Sequence, residues 1–258
     1  MTDNTTGPGR RSFGIDVGGS GIKGGIVDLD TGELVGERFK VLTPQPATPE
    51  AVAQGIADVV AHFDWSGSVG ITLPAVVAGG VARTAANIDH GWIGTDVYEL
   101  FRRHLGDRPL SVLNDADAAG MAESRYGQAS NEVDGVVIFL TLGTGIGSAI
   151  LYHGQLLPNT ELGHLEVRGK EAEHRASSKV KEDHGWSYEK WAEKLSEVLR
   201  TYEALFSPAL FIAGGGISRK SHKWIPLLSN DTPVVPATLL NTAGIVGAAM
   251  AVDVDLRV

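Results

Sequence analysis

Apolar residues come in short runs along this chain, and the runs switch between strand-like and helix-like spacing. Phe13 to Val17 reads as a strand, followed by a cluster of glycines and a second apolar stretch, Gly25 to Val41, interrupted by the hairpin signal Asp30-Thr31-Gly32. After a loop at residues 43–50, Thr48 is placed to cap a helix running to about residue 63. Ser68 to Leu73 is a strand stopped by Pro74, and residues 95–105 read as a helix opening near Thr95 or Asp96. A strand at Pro109 to Leu113 runs straight into a helix that begins with Asn114-Asp115-Ala116-Asp117. Gly135 to Leu151 is a strand, a glycine turn and a second strand, and a less regular stretch begins at His153. Residues 187–205 place Trp191, Leu195, Val198, Leu199, Tyr202 and Leu205 on one helical face. Ala209 to Ser218 is a strand ending in glycines with a helix expected after it, and residues 240–252 form a helix of small residues.

Strands alternate with helices, so the fold class is α/β. Two segments, residues 13–30 and 136–151, each run strand, glycine turn, strand, which points to one architecture used twice. The 258 residues make one large domain or two modest ones. A hydrophobic fraction of 43% and a charged fraction of 21% suit a globular chain with a packed core. The net charge of −9 argues against nucleic acid as partner, yet a local basic patch could still bind an anionic substrate. With no cysteine, disulfides, thiolate metal sites and a cysteine nucleophile are ruled out. Residues 1–11 are expected to form a flexible polar tail without the apolar core of a signal peptide. No run approaches the roughly 20 apolar residues that span a bilayer, so no membrane association and a cytoplasmic location are expected.

The 33 glycines gather at strand ends. The first turn holds Asp16, Gly18, Gly19, Ser20 and Lys23. Glycines there let backbone N–H groups converge on phosphate oxygens, Ser20 adds a hydroxyl, Lys23 adds charge, and Asp16 can hold Mg²⁺. The same residues would also serve a plain β-hairpin with glycine bulges. It is neither a Walker loop nor a dinucleotide-binding fingerprint, since no GxxxxGK[ST] occurs and a strand, not a helix, follows. The second turn carries Thr141, Gly143, Thr144 and Gly145, and the third carries Gly214, Gly215 and Gly216. If a helix follows the third, its start would favour an anion.

Asp115 stands where a strand meets a helix, a place that exposes a carboxylate while fixing its backbone. It can take the proton of an attacking hydroxyl, or it can be a helix cap beside Asn114. Glu161 and His164, three apart, suit bonds to adjacent sugar hydroxyls; Asn87 is a loop amide that can bind hydroxyls or simply make a turn.

Five segments in order, residues 15–23 (IDVGGSGIK), 113–120 (LNDADAAG), 140–149 (LTLGTGIGSA), 161–164 (ELGH) and 213–218 (AGGGIS), resemble the ROK-family sugar kinases. The resemblance runs from about Phe13 to Val252, and GGSGIKGG with ELGHLEVRGKEAEHRASSKVKE makes it similar in particular to the actinobacterial polyphosphate-using glucokinases and glucomannokinases. It implies the two-lobed hexokinase–actin-like (ribonuclease H-like) ATPase fold with a central cleft. The lobes would be residues 12–113 plus 242–258, the small N-terminal lobe, and residues 114–241, the large C-terminal lobe. It implies phosphorylation of the 6-hydroxyl of glucose, with mannose as a further acceptor, from inorganic polyphosphate or ATP with Mg²⁺. An ATP-only kinase for another sugar and a non-catalytic sugar sensor are the alternatives. Asp115 would be the catalytic base. Asn87, Asn114, Asp115, Glu161, His164 and Glu173 would bind the sugar. Asp16 would serve the metal. Gly18, Gly19, Ser20, Lys23, Thr141, Gly143, Thr144, Gly145 and Gly214 to Gly216 would bind phosphates and nucleotide. The three-cysteine zinc loop of many relatives is missing, so zinc is not expected. There is no room before Phe13 for the DNA-binding helices of the family's repressor branch, so a repressor is not expected. The family likeness suggests a homodimer. A polyphosphate chain would need further cations, and the pairs Arg102-Arg103 and Arg219-Lys220 are the leading candidates, ahead of Arg83, Lys179, Lys181 and Lys223.

Overall fold

The computed structural model describes residues 9–85, 88–127 and 133–258. In chain order the strands are β1 (Arg11–Gly18), β2 (Gly21–Asp28), β3 (Glu33–Leu34), β4 (Phe39–Val41), β5 (Val69–Leu73), β6 (Val77–Ala78), β7 (Val81–Ala82), β8 (Leu110–Asn114), β9 (Val136–Leu142), β10 (Ile146–Tyr152), β11 (Gln155–Leu157), β12 (Glu166–Val167), β13 (Lys170–Glu171), β14 (Leu210–Gly214) and β15 (Val234–Pro236). The α-helices are α1 (Pro49–His62), α2 (Val97–Leu105), α3 (Asp115–Tyr126), α4 (Ala172–Ala176), α5 (Ser178–Asp183), α6 (Tyr188–Phe206) and α7 (Ala243–Asp253). They divide into two compact units, Met1–Ala119 with Thr242–Val258, and Gly120–Asn241.

The first unit is built on a sheet ordered β3-β2-β1-β5-β8, with β4 paired to β2. β1 and β2 are antiparallel, and β5 and β8 run parallel to β1. One face carries Phe13, Ile15, Val17 and Ile71, which are buried in one cluster with Val52, Ile56 and Val59 of α1. Thr48 caps α1 by accepting from the Ala51 N–H, and Asp96 caps α2 by accepting from Glu99; each such cap contributes about 1 kcal/mol.

The other face is lined by small residues. Gly25, Gly14, Gly70 and Ser111 stand opposite one another across β2, β1, β5 and β8. A β-carbon on Gly14 would lie 1.8 Å from the carbonyl oxygen of Ile245, and one on Gly70 would lie 1.8 Å from that of Ala248. Ser111 donates its hydroxyl to the Ala251 carbonyl. The small-residue helix α7 therefore rests on the sheet backbone to backbone.

Two boundaries differ from the sequence reading. Residues 114–119 group with the first unit, because a β-carbon on Gly247 of α7 would lie 1.8 Å from the Ala118 carbonyl oxygen. The tail expected over residues 1–11 gives way at its end to strand. Arg11 opens β1 opposite Asp28, and Arg10 accepts a bond from the Leu29 N–H; residues 1–8 lie outside the described residues.

The second unit repeats the topology: order β11-β10-β9-β14-β15, with β9 and β10 antiparallel and β14 and β15 parallel to β9. Its core packs Ile138, Leu140, Leu142 and Phe211 with Trp191, Leu195, Val198 and Tyr202 of α6. Buried Glu123 accepts from the backbone N–H groups of Thr238 and Leu239, steadying a turn in which Leu240 takes a positive φ of 50°. Burial pushes the Glu123 carboxyl up, and those N–H groups oppose the shift. After β14 the expected helix is a 3₁₀ segment, Gly216–Lys223, kinked at Lys220. Among the described residues no helix is long and apolar enough to cross a membrane.

Gly70→Val will cost about 3 kcal/mol or more, because α7 must lift to admit the side chain. Thermal unfolding should show a fall of about 6–12 °C. An unchanged midpoint would mean that α7 does not depend on this close approach.

Candidate active site

At the first glycine turn, the end of β1 places Asp16 beside two other strands. Thr72 on β5 donates its hydroxyl to Asp16 Oδ1 at 3.2 Å, and Lys23 on β2 donates Nζ to Oδ2 at 3.1 Å. Thr72 Oγ1 also accepts from the Val17 N–H, so one buried hydroxyl fixes both the carboxylate and the strand that carries it. The start of α7 comes up to the same carboxylate: a β-carbon on Gly244 would lie 3.0 Å from Asp16. Gly19 and Ser20 are exposed at the tip. The Thr43 hydroxyl donates to the Gly18 carbonyl and ties the chain after β4 to the turn.

Asn114 and Asp115 divide the strand-to-helix corner between them. The Asn114 side-chain oxygen accepts from the N–H groups of Ala116 at 2.8 Å and Asp117 at 3.3 Å, which makes Asn114 the cap of α3. Its amide donates to the Ala75 carbonyl. Asp115 is exposed, with one carboxylate oxygen 2.9 Å from the Ala116 N–H, at the positive end of α3. Asp117 is fully buried.

In the second unit Glu161, His164 and Glu173 come together, and two neighbours join them. His164 Nδ1 lies 3.5 Å from Glu171 and 3.9 Å from Glu173, and His174 lies 3.2 Å from Glu171. The segment bearing Glu161 is clamped from behind. Buried Ser148 accepts from the Leu162 N–H at 2.9 Å and donates to the Thr160 carbonyl. Tyr202 of α6 donates to the Leu162 carbonyl at 2.8 Å; burial pushes its phenol well up, so it stays a donor. Loss of water around the Glu161 carboxyl raises its pKa most, the Glu173 charge adds to the rise, and His164 opposes it.

The glycines of the second and third turns separate into two kinds. Gly145 sits against Glu173, whose carboxylate would lie 2.3 Å from a β-carbon there and accepts from the Ile146 N–H. Gly214 packs on Phe139, and Gly215, at φ 83°, packs on the Leu142 carbonyl. Gly143 and Gly216 differ: a β-carbon on either meets nothing within 4 Å. Their backbone is open, as close approach of a ligand requires. Ser178 and Lys179, at the start of α5, bond to the Gly143 carbonyl from below. Thr141 is half-buried and Thr144 exposed.

Asn87 lies outside the described residues. Several of the expected chain-binding cations are already engaged. Arg103 pairs with Glu50 and Glu99, Lys179 with Asp183, Lys181 sits over the Tyr188 ring, and Arg83 donates to the Ala78 carbonyl. The sequence assigned no part in the site to Thr72, Ser148, Tyr202, Glu171 or His174. The first three read as core, and the last two lay in a segment whose folding depends on the β12–β13 hairpin.

Residues 12–179 match the model of the ROK family. A polyphosphate glucokinase of Mycobacterium tuberculosis is 63% identical over 246 residues, covering 95% of this chain and 92% of that one. The inorganic polyphosphate/ATP-glucomannokinase of Arthrobacter sp. strain KM superposes with a TM-score of 0.87 at 51% identity, covering 95% of this chain and 98% of that one. A ROK family glucokinase of Streptomyces griseus, solved with glucose and AMPPNP, gives a TM-score of 0.75 at 26% identity, covering 93% and 98%.

Two measurements test this geometry. Carboxyl NMR titration should find Glu161 above the usual glutamate range; Glu173→Gln should lower its pKa and His164→Ala should raise it further. An ordinary Glu161 pKa would remove the crowding inferred here. Gly143→Ala should leave stability within about 0.5 kcal/mol of wild type while weakening donor binding, whereas Gly215→Ala, strained at its positive φ, should unfold earlier.

Proposed function

The chain belongs to the ROK family, and we propose that it transfers a phosphoryl group from inorganic polyphosphate or ATP to the 6-hydroxyl of glucose, with mannose as a further acceptor. The observation that carries this reading is an exposed carboxylate, Asp115, on the capped start of α3, in a chain 63% identical to a polyphosphate glucokinase.

Asp115 takes the proton of the sugar hydroxyl as its oxygen attacks the terminal phosphorus. One P–O bond forms to the sugar, and the bridging P–O bond to the rest of the donor breaks. The donor leaves as a polyphosphate shorter by one phosphate, or as ADP. Glu161 and Glu173 accept from sugar hydroxyls, and His164 and Asn114 add polar contacts; Asn87 keeps its proposed sugar role. Gly18, Gly19, Ser20 and Lys23 meet the transferring phosphate. Thr141, Thr144 and the open backbone at Gly143 and Gly216 hold the rest of the donor. Gly145, Gly214 and Gly215 support that backbone through the packing described above, without needing to touch the donor.

Mg²⁺ fits the first turn. A single carboxylate, Asp16, with hydroxyls nearby suits an ion that keeps several waters and takes its other oxygens from phosphates. When bound, it would neutralise charge on the donor's phosphoryl oxygens. Lys23, now tied to Asp16, is within reach to share that task.

Glucose 6-phosphate formation, measured with polyphosphate and with ATP in the presence of Mg²⁺, tests the reading. Product is expected from polyphosphate. Asp115→Asn, which keeps the shape and removes the base, should lower kcat by about 10²–10⁴-fold. Product from ATP alone would reject the polyphosphate donor. An undiminished Asp115→Asn enzyme would reject the base, and no product from any donor with either sugar would reject the kinase.

A further inference from the structure

One row of side chains is polar across four strands of the first sheet, β5, β1, β2 and β4, and ends in apolar Leu113 on β8. Thr72 on β5 stands opposite Asp16 on β1, Asp16 opposite Lys23 on β2, and Lys23 opposite Lys40 on β4. The first three satisfy one another through the hydrogen bond and ion pair at Asp16. Lys40 is different. It is exposed, and among the described residues its ammonium has no carboxylate or other acceptor. Its stem lies across the glycine turn: a β-carbon on Gly21 would meet Lys40 Cε at 2.0 Å and Nζ at 3.0 Å. Two lysines directly opposite on neighbouring strands repel, a cost that an anion shared between them reverses. The segment is not loose, because β4 pairs with β2 through three residues and Thr43 is bonded to Gly18.

We propose that Lys40 is a donor-positioning residue, which grips a phosphate of the donor next to the one held at the β1–β2 turn and gives the site added affinity for long inorganic polyphosphate. This rests on the phosphoryl-transfer reading above. The row has a direction: charge is balanced at Asp16 and Lys23 and becomes net positive at Lys40, toward the edge strand. A chain carrying a charge on every phosphate gains from a cation placed beyond the turn.

The experiment compares wild type, Lys40→Gln and Lys40→Arg. It measures binding of inorganic tripolyphosphate by calorimetry, and kcat and KM for long polyphosphate, ATP and glucose. Lys40→Gln should weaken tripolyphosphate binding about tenfold, the scale of one charge-assisted hydrogen bond at a partly exposed site. The KM for polyphosphate should rise by a similar factor, with most of the effect in KM and not in kcat. Lys40→Arg should restore most of it. The fall of polyphosphate affinity with added salt should be shallower in Lys40→Gln, since one fewer counterion is displaced. Unchanged tripolyphosphate binding in Lys40→Gln overturns the proposal. So does an equal loss for every substrate together with a lower unfolding midpoint, which would mark a structural lysine. If wild type phosphorylates no sugar, the reading of the reaction fails, while the calorimetry still decides whether Lys40 binds phosphate.

Discussion

Between helix α7 and the first sheet there is no space for a single β-carbon at Gly14 or Gly70, and at Ser111 a hydroxyl fills the gap by bonding to the helix. The chemistry of this unit depends on that contact. Along each strand, two residues beyond the small-residue row lies the polar row of Thr72, Asp16 and Lys23, on the same face of the sheet. A helix seated on the first row necessarily begins beside the second, and Gly244 indeed lies against Asp16. Glycine at residue 244 is then a matter of clearance for a carboxylate, not of backbone freedom. The helix start carries partial positive charge, which favours an anion within its first turn. The glycines that look like a loss of strand propensity thus set the distance between a helix terminus and the residue proposed to hold the metal.

The same arrangement explains how a chain with a net charge of −9 can handle an anionic donor. At physiological ionic strength charges are screened beyond about 8 Å, so the sum over the molecule matters less than the groups at the turn. There, one carboxylate is matched by one lysine, a helix start adds partial positive charge, and a second lysine is left over. Several other cations expected to serve a polyphosphate chain are held by acidic partners or an aromatic ring, which lowers their free charge.

What the sequence made legible were features that need only local spacing. The caps at Thr48 and Asp96, the strand-turn-strand pairs and the corner at Asn114-Asp115 all depend on residues within a turn of one another. What it hid depends on long-range register. Thr72 in an apolar strand reads as an ordinary core residue until the pairing of β5 with β1 puts it opposite Asp16. Ser148 and Tyr202 find Leu162 from fourteen and forty residues away. Glycine is especially opaque: Gly143, with open space above it, and Gly145, crowded by Glu173, are the same letter two positions apart. The helix expected after Gly216 became 3₁₀ with a kink at Lys220, in a segment that Gly215, at positive φ against Leu142, turns sharply out of β14.

The two units use one strand order and fill its turns with different chemistry. Asp16 stands two residues before Gly18, and Thr141 stands two residues before Gly143. The first unit thus puts a carboxylate and lysines where the second puts hydroxyls and bare backbone. On the proposed reaction this division has a physical reason. The transferring group changes its charge distribution during the step, and charged groups stabilise such a change more strongly than neutral donors do. The remainder of the donor must be held and then released as a still more anionic product. Neutral hydroxyls and N–H groups grip it through hydrogen bonds without adding a full Coulombic attraction that would slow its departure. A duplicated scaffold can serve both needs because the turn's backbone is fixed by packing on the sheet, while the residue two positions before its first glycine is free to be charged or neutral.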